Sequence, residues 1–587
     1  MTPFESSLYV ALVAPVLALC VSVFFKKGIT ARWNPILLAL SGIGGTVAAA
    51  YGAVAETPFT MVLPMFYGMT IALDRFSAIF FLGISIVVAA AGMFAMAYNT
   101  KHQNDAPRLR KMGIAAAILV IGAQWVMLAG NIIGFIAAWE VMMLAVFFLI
   151  LNHQTDQKSS VALNFFSGAL LCSTAVTAGF FILSSGALFS DFGTLAYLAG
   201  QADPQILAIG YGLLLFGFAA TVAIAPFHRW FSNTISAVPS HIGALIRASF
   251  SGVAFYGFIR CILFILPPLS LWYTLPLFIV GALSMFIGAF KSHGEVDVKR
   301  IISAMSLQNF GVVFLMLGGA MALQALTQYD AMNVMLFAAF IQMTVSTIAT
   351  SGLLFVRNVI SKDSETISDL GGLAKRMPKL TAATAILLAA AVGLPPFASF
   401  TSAWMFATTL GTVFHALETP YAVTAIVILV LFVLSMIIAI SAALRFFMAV
   451  FLGTSRSSSD ETVSEPSDAA LTPIVILALL TLLSGFALPQ LLVMMGADPL
   501  TSDAGTFMGG VVTAAGTLRM SIIGLVILAI IIVKWYFRSK WIHRVPSFEA
   551  IEACRIRCVA KCKVGDRFKI GSKCKDLCTR ALQKFHR

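Results

Sequence analysis

Between Phe216 and Arg260 the chain reads FGFAATVAIAPFHRWFSNTISAVPSHIGALIRASFSGVAFYGFIR. Pro226 interrupts an apolar helix just before His228, and a second helix leaves after Pro239 and His241, with Arg247 about two turns along it. These side chains could hold or pass a charge. Imidazoles titrate near neutral pH, whereas a guanidinium keeps its proton and needs a partner or a watery cavity. A second polar group stands within NIIGFIAAWEVMMLAVFFLILNH (131–153), where Glu140 sits mid-stretch. A carboxylate at that depth costs about 2.5 kcal/mol or more unless it is paired or hydrated, so Glu140 is a functional candidate by default. Asp297, Lys299 and Arg300 open a third apolar stretch, where they read as anchors or as the mouth of an ion path. A helix break survives in hydrocarbon only if protein or water surrounds the freed backbone, and transporters build ion sites from pairs of such breaks. A partner break is therefore expected. GLPPFASF (393–400), with Pro395 and Pro396, supplies it.

The elements that must position these groups follow from composition. The chain is 59% hydrophobic and 11% charged with mean hydropathy +0.94, which specifies an all-α polytopic membrane protein and excludes a soluble one. About fifteen apolar runs have spanning length. They lie near 8–25, 34–53, 76–97, 112–129, 131–150, 160–184, 205–226, 240–262, 270–290, 300–320, 331–356, 380–416, 421–449, 470–493 and 508–534. The first run reads as a retained span, because Met1–Tyr9 carries Glu5 and no basic residue. Five parts are expected: three N-terminal spans (1–110), a core with the broken helices (111–450), a polar Ser-rich linker (451–469), two C-terminal spans (470–535) and a basic tail (536–587).

Lys and Arg fall in alternate loops: KKGITAR (26–32), KHQNDAPRLRK (101–111), the HQTDQK turn, KSHGEVDVKR (291–300) and the segment from Arg357 to Lys379. The opposite loops hold little more than Arg75 and Arg260. The basic set is expected to be cytoplasmic, which places the N-terminus outside and the C-terminal tail inside.

From Lys534 onward there are fifteen Lys or Arg against Glu549, Glu552, Asp566 and Asp576. Such a tail should lie on anionic lipid or on an acidic protein; nucleic acid is not expected for a segment tethered this close to the bilayer. Cys554, Cys558, Cys562, Cys574 and Cys578 are spaced to line one face of each of two short helices, with Gly565 and Gly571 at the turn between them. Paired disulfides, a bound metal and a reduced packed hairpin all stand open. The spacing is not that of a zinc knuckle, and a cytoplasmic site disfavours disulfides.

Five segments come in the order found in a known family: WEVM (139–142), APFHRWFSNTISAVPSHIGALI (225–246), DVKRIISAMSLQNFGVV (297–313), DLGGLAKRMPK (369–379) and GLPPFASFTSAW (393–404). LDRFSAIFF (73–81) fits the start of the match, which covers roughly residues 70–450. The chain resembles the antiporter-like membrane subunits of respiratory complex I and Mrp-type antiporters, and in particular the large membrane subunit of group 4 hydrogenases (hydrogenase-4 component B, formate hydrogenlyase). The resemblance implies two inverted five-helix repeats broken near Pro226 and Pro395, a bacterial-type inner (plasma) membrane, further membrane subunits, and a cytoplasmic redox or transport partner. It also implies a relay across the midplane. A glutamate on the fifth helix pairs with a lysine on the broken seventh; lysines or histidines on the eighth and eleventh follow, and a lysine or glutamate on the broken twelfth ends the series. Carried over position by position, the glutamate is Glu140. The seventh-helix lysine falls on Thr221, the eighth on Gly252, the eleventh-helix pair on Met343 and Thr347, and the twelfth on Ala403.

The framework's motifs are thus present while most relay amines are not. No dinucleotide fingerprint, phosphate loop, haem attachment or iron–sulphur pattern lies in the bundle, so no cofactor is expected in this chain beyond a metal or disulfides in the tail. Three readings follow: a membrane subunit of a redox-linked assembly with impaired or absent proton pumping, a structural scaffold for a cytoplasmic partner, or a transporter of ions or small solutes that uses Arg247 and His228.

Overall fold

A computed structural model describes residues 3–496 apart from 26, 55–58, 64–68, 153–155, 361–365, 368–369, 416–418 and 453–464. The fifteenth apolar run (508–534) and the tail with Cys554, Cys558, Cys562, Cys574 and Cys578 lie outside the described residues. Within them, thirteen helices are long and apolar enough to cross a membrane. In chain order the fifth is Ile132–Leu151, the sixth Ser159–Leu183, the seventh Pro204–Val222, the eighth Ser240–Ile265, the ninth Leu271–Gly294, the tenth Val298–Ala325 and the eleventh Tyr329–Ile360. The run expected at 380–416 is two helices, Pro378–Ala391 and Ala398–His415, which together fill the twelfth place. Val423–Phe451 and Asp468–Gly485 complete the thirteenth and fourteenth.

Both breaks end in the same backbone turn. Ala223 (φ 75°) and Gly393 (φ 72°) adopt the left-handed conformation that stops a helix. The following N–H then reaches back five residues, Ile224 to the Ala219 carbonyl at 3.5 Å and Leu394 to the Ala389 carbonyl at 3.0 Å. Ala225–Pro226 and Pro395–Pro396 are cis. Glycine adopts this backbone without strain at 393, whereas Ala223 holds it with a Cβ.

Polar groups freed by the turns find protein partners. At the first break, Ala225 N–H donates to Ser284 Oγ (2.8 Å) and Trp230 Nε1 donates to the Ala220 carbonyl (3.1 Å). At the second, Asn309 Nδ2 donates to the Ala391 carbonyl (3.1 Å) and Ser399 Oγ to the Ala390 carbonyl (2.6 Å). Ser284 and Asn309 sit on the ninth and tenth helices, which therefore serve one break each. The tenth helix is buried along its whole central stretch, and the eighth and eleventh nearly so, while the thirteenth mostly faces outward.

The fourteenth helix backs the second break. A Cβ at Gly485 would lie 1.9 Å from the Pro396 carbonyl oxygen, so only hydrogen fits there. Just before that helix, the Glu465 carboxylate accepts from Leu380 N–H (3.0 Å) in the first turn of Pro378–Ala391, capping it.

Two features were not visible in the hydropathy pattern. Phe59–Leu63 and Met69–Leu73 pair antiparallel with Phe59 opposite Leu73, the one sheet among the described residues. Phe192–Gln201 is a short helix capped by Asp191, whose carboxylate accepts from Thr194 N–H (2.6 Å). On the sheet's side of the molecule Asp74 caps the third helix through Ser77 N–H (2.7 Å) and forms an ion pair with Arg260. Burial alone would raise the Asp74 carboxyl, but the Arg260 guanidinium and the Ser77 N–H outweigh it and hold it below its ordinary value.

Two outcomes are expected. Gly485→Ala should force the fourteenth helix away from the break and cost about 1–3 kcal/mol or more, read as a lower unfolding temperature in detergent. Asp74→Asn keeps a capping oxygen and removes the charge, whereas Asp74→Ala removes both and should lose about 1 kcal/mol more. Because the folded carboxyl titrates below the unfolded value of about 3.9, the stabilisation from Asp74 is present above that pH and fades as pH falls through the folded value. The Asn variant should lack this acid-dependent component of stability.

Candidate functional site

Glu140 projects from the fifth helix toward the sixth, and its carboxylate accepts a hydrogen bond from the Ser173 hydroxyl. Trp139, the residue before it, is buried against Phe135, Phe218 and Phe250. Among the described residues no lysine, arginine or histidine reaches Glu140. Thr221, in the position that the resemblance gives to lysine, is buried and donates its hydroxyl to the Gly217 carbonyl in its own helix (2.8 Å). A cavity of 190 Å³ adjoins it, lined by Phe165, Ala169, Cys172, Thr221, Trp230 and Phe250 among others. Its polar side chains are one hydroxyl, one thiol and an indole already committed to Ala220. Such a space offers little to an ion.

The second candidate group lies on the eighth helix. Arg247 is fully buried where the eighth helix widens into a π-helical turn, Arg247–Ser251. Turns of this kind recur at functional positions. Its Nη1 donates to Thr347 Oγ1 (2.9 Å) and its Nη2 to Ser346 Oγ (3.3 Å), both on the eleventh helix. The guanidinium also stacks over the Phe310 ring at 4.5 Å. Its Nε has no partner among the described residues, and no carboxylate pairs with it. The structure thus joins Arg247 to Thr347, a position that the resemblance assigns to an amine or imidazole. Gly252 lies one turn further on, with a Cβ there meeting Ile84 and Met343 at 3.4–3.5 Å.

From the same helix a chain of amides leads to the second break. Gln342 Nε2 donates to Asn309 Oδ1 (2.6 Å), and Asn309 in turn holds the Ala391 carbonyl. Ser402 Oγ donates to the Ala338 carbonyl (2.7 Å), one residue from Ala403. Gln342 and Asn309 were missed in the sequence reading. Amides carry no charge and do not stand out by hydropathy; Asn309 lies inside the motif at 297–313 and Gln342 in none, although both sit in buried helices where an unpaired amide would be costly.

The remaining candidates have structural partners. His241 is buried between Phe94 and Tyr98, its ring centroid 4.5 Å from that of Tyr98. Lys299 Nζ donates to the Val238 carbonyl (2.5 Å) and to the Ser236 carbonyl (3.2 Å), closing the C-terminus of Arg229–Ala237. Asp297 caps the tenth helix by accepting from Arg300 N–H (2.8 Å). His228 Nε2 lies 2.6 Å from Lys291 Nζ. The imidazole is held below its ordinary value by burial and by the charges of Lys291 and Arg229, so it is neutral at pH 7 and accepts from the ammonium. The structure therefore does not gather the candidates into one constellation. It leaves Glu140, Arg247 and His228 in three separate settings, each with its own partners.

Comparison with known proteins fits this frame. The model of the NADH:quinone oxidoreductase/Mrp antiporter transmembrane family matches residues 129–432. Hydrogenase-4 component B of Escherichia coli is 25% identical over 469 residues, covering 78% of this chain and 68% of that protein. An uncharacterized protein of Mycobacterium tuberculosis is 28% identical over 376 residues, covering 63% of this chain and 57% of its own length. Of solved structures, a chain of the Mrp complex from Dietzia sp. superposes with a TM-score of 0.69 at 18% identity, covering 87% of this chain and all of that one (100%). At that identity the likeness is one of fold. The matched segment holds both breaks, Glu140 and Arg247, and extends over more than half of the chain: it belongs to the NADH:quinone oxidoreductase/Mrp antiporter transmembrane family.

Proposed function

We propose that this membrane subunit works within a multi-subunit, redox-linked assembly of the complex I or group 4 hydrogenase kind without pumping protons through an amine relay. The observation that carries this reading is Glu140 itself, whose carboxylate meets a serine hydroxyl and, among the described residues, no base. A relay of the family's type moves a proton by shifting an amine's charge toward or away from that carboxylate, and no such charge is within reach. Arg247 strengthens the argument. A guanidinium keeps its proton, so it cannot alternate between charged and neutral forms. A fixed positive charge in the buried core also raises a barrier to protons and cations. The bundle then contributes a rigid anchor, while redox centres belong to partner subunits and the basic tail meets anionic lipid or an acidic protein. The loops rich in Lys and Arg face the cytoplasm in this reading, with the N-terminus outside.

A second reading, transport of an ion or small solute past Arg247 and His228, draws support from the unpartnered Arg247 Nε.

The test uses the native complex reconstituted in proteoliposomes with a pH-sensitive dye inside. Glu140→Gln should leave redox-driven proton uptake within about twofold of the parent, since its loss removes no working relay. A fall of tenfold or more would sink the non-pumping proposal. Arg247→Gln is expected to lower stability through loss of its hydrogen bonds and ring contact, by about 1–3 kcal/mol. If instead it abolishes solute or ion flux in a complex that stays folded, the transport reading takes its place.

A further inference from the structure

Between the loop after the first break and the adjoining ends of the ninth and tenth helices lies a second cavity, of 180 Å³. His228 and Arg229 line one wall, Lys291 and Glu295 another, and Arg300 and Ser303 a third. Two guanidinium groups, an ammonium and an imidazole thus converge against one carboxylate. Arg229 also begins the helix Arg229–Ala237, whose N-terminus carries no side-chain cap, and its first turn forms part of the lining. An uncapped helix start adds its own preference for negative charge. Lys291 spends one of its three donors on His228 and Arg300 is exposed, so both heads are available to a ligand.

An apolar track runs along the helix that carries Lys291. Ile279, Leu283 and Phe290 are exposed (51%, 51% and 61%) at positions separated by four and seven residues, which places them on one face of the ninth helix. Phe227, beside His228, is exposed too. Phe290 and Phe227 each stand one residue from a group that lines the cavity, Lys291 and His228, so a ligand with a phosphate at one end and hydrocarbon chains at the other meets both kinds of surface. A soluble anion matches the cavity alone.

We infer that this cavity holds the phosphate headgroup of an anionic phospholipid, with the acyl chains lying along Ile279 and Leu283. The lipid would neutralise the cluster at the foot of the broken helix and tie the ninth helix to the loop of the first break. The inference rests on the cavity's lining and on the exposed stripe. It stands whether or not protons are pumped.

The experiment is native mass spectrometry on the full chain, and on its intact complex, delipidated and then titrated with phosphatidylglycerol or phosphatidylcholine. Phosphatidylglycerol should be retained and phosphatidylcholine not. The double variant Lys291→Gln/Arg300→Gln should lower that retention about thirtyfold, at roughly fivefold for each basic residue facing an anionic headgroup. Lys101→Gln, a basic residue outside the cavity, should leave it unchanged, and Lys291→Arg should keep most of it. Gel filtration of each variant establishes that it is folded. Equal retention of both lipids, or full retention in the double variant, would overturn the inference. So would displacement of the lipid by millimolar inorganic phosphate, which makes the occupant a soluble anion. Binding by the isolated chain but not by the intact complex would also overturn it, since a partner subunit then covers the cavity.

Discussion

Hydrocarbon supplies no hydrogen bonds, so each amide and carbonyl released inside a bilayer must be met by protein or by trapped water. Two helices of this chain stop part-way across, and the arrangement of their neighbours answers that demand. Each stop uses the same left-handed residue, alanine at 223 and glycine at 393, and the same backward hydrogen bond over five residues. What remains is taken up by Ser284, Trp230, Asn309 and Ser399. The ninth and tenth helices are placed so that one serves each break. The fourteenth comes so near that position 485 admits no side chain. The polar interior is therefore first a structural requirement of the breaks. Its capacity for function is what is left after that requirement is met.

Little charge is left. Glu140 is held by a hydroxyl and Arg247 by two more and an aromatic ring, while His228 is neutral beside Lys291. Polar contacts of this kind fix positions well and switch poorly, because hydroxyls and amides do not alternate between charge states. The cavity at Thr221 is bordered mainly by carbon, which gives an ion little to replace its water. These local facts support the proposal of a subunit that keeps the family's scaffold and works without an amine relay.

Much of this was legible in the residues. Composition and run length gave the membrane class and nearly all the spans, because twenty apolar residues in succession have few other fates. Pro226 and the Pro395–Pro396 pair marked the breaks, since proline lacks the amide a continuous helix would use. The strand pair at 59–63 and 69–73 escaped notice because five-residue strands carry no periodic signal of their own in so apolar a chain. Gln342 and Asn309 escaped because their roles depend on what faces them.

The sequence by itself determined the order of the spans among the described residues and the sites of both breaks, and it carries Thr221, Gly252, Met343, Thr347 and Ala403 where the family resemblance implies relay groups. These are matters of residue type along one dimension. Tertiary structure decided which polar groups meet: that Glu140 faces Ser173, that Arg247 crosses to the eleventh helix and finds no carboxylate among the described residues, and that Lys291 and Arg300 share a cavity with His228. The physical reason is that helix faces are assigned by packing. In an all-apolar stretch almost any face can be turned inward, and only the close fit of neighbouring backbones at small residues fixes which side chain looks at which.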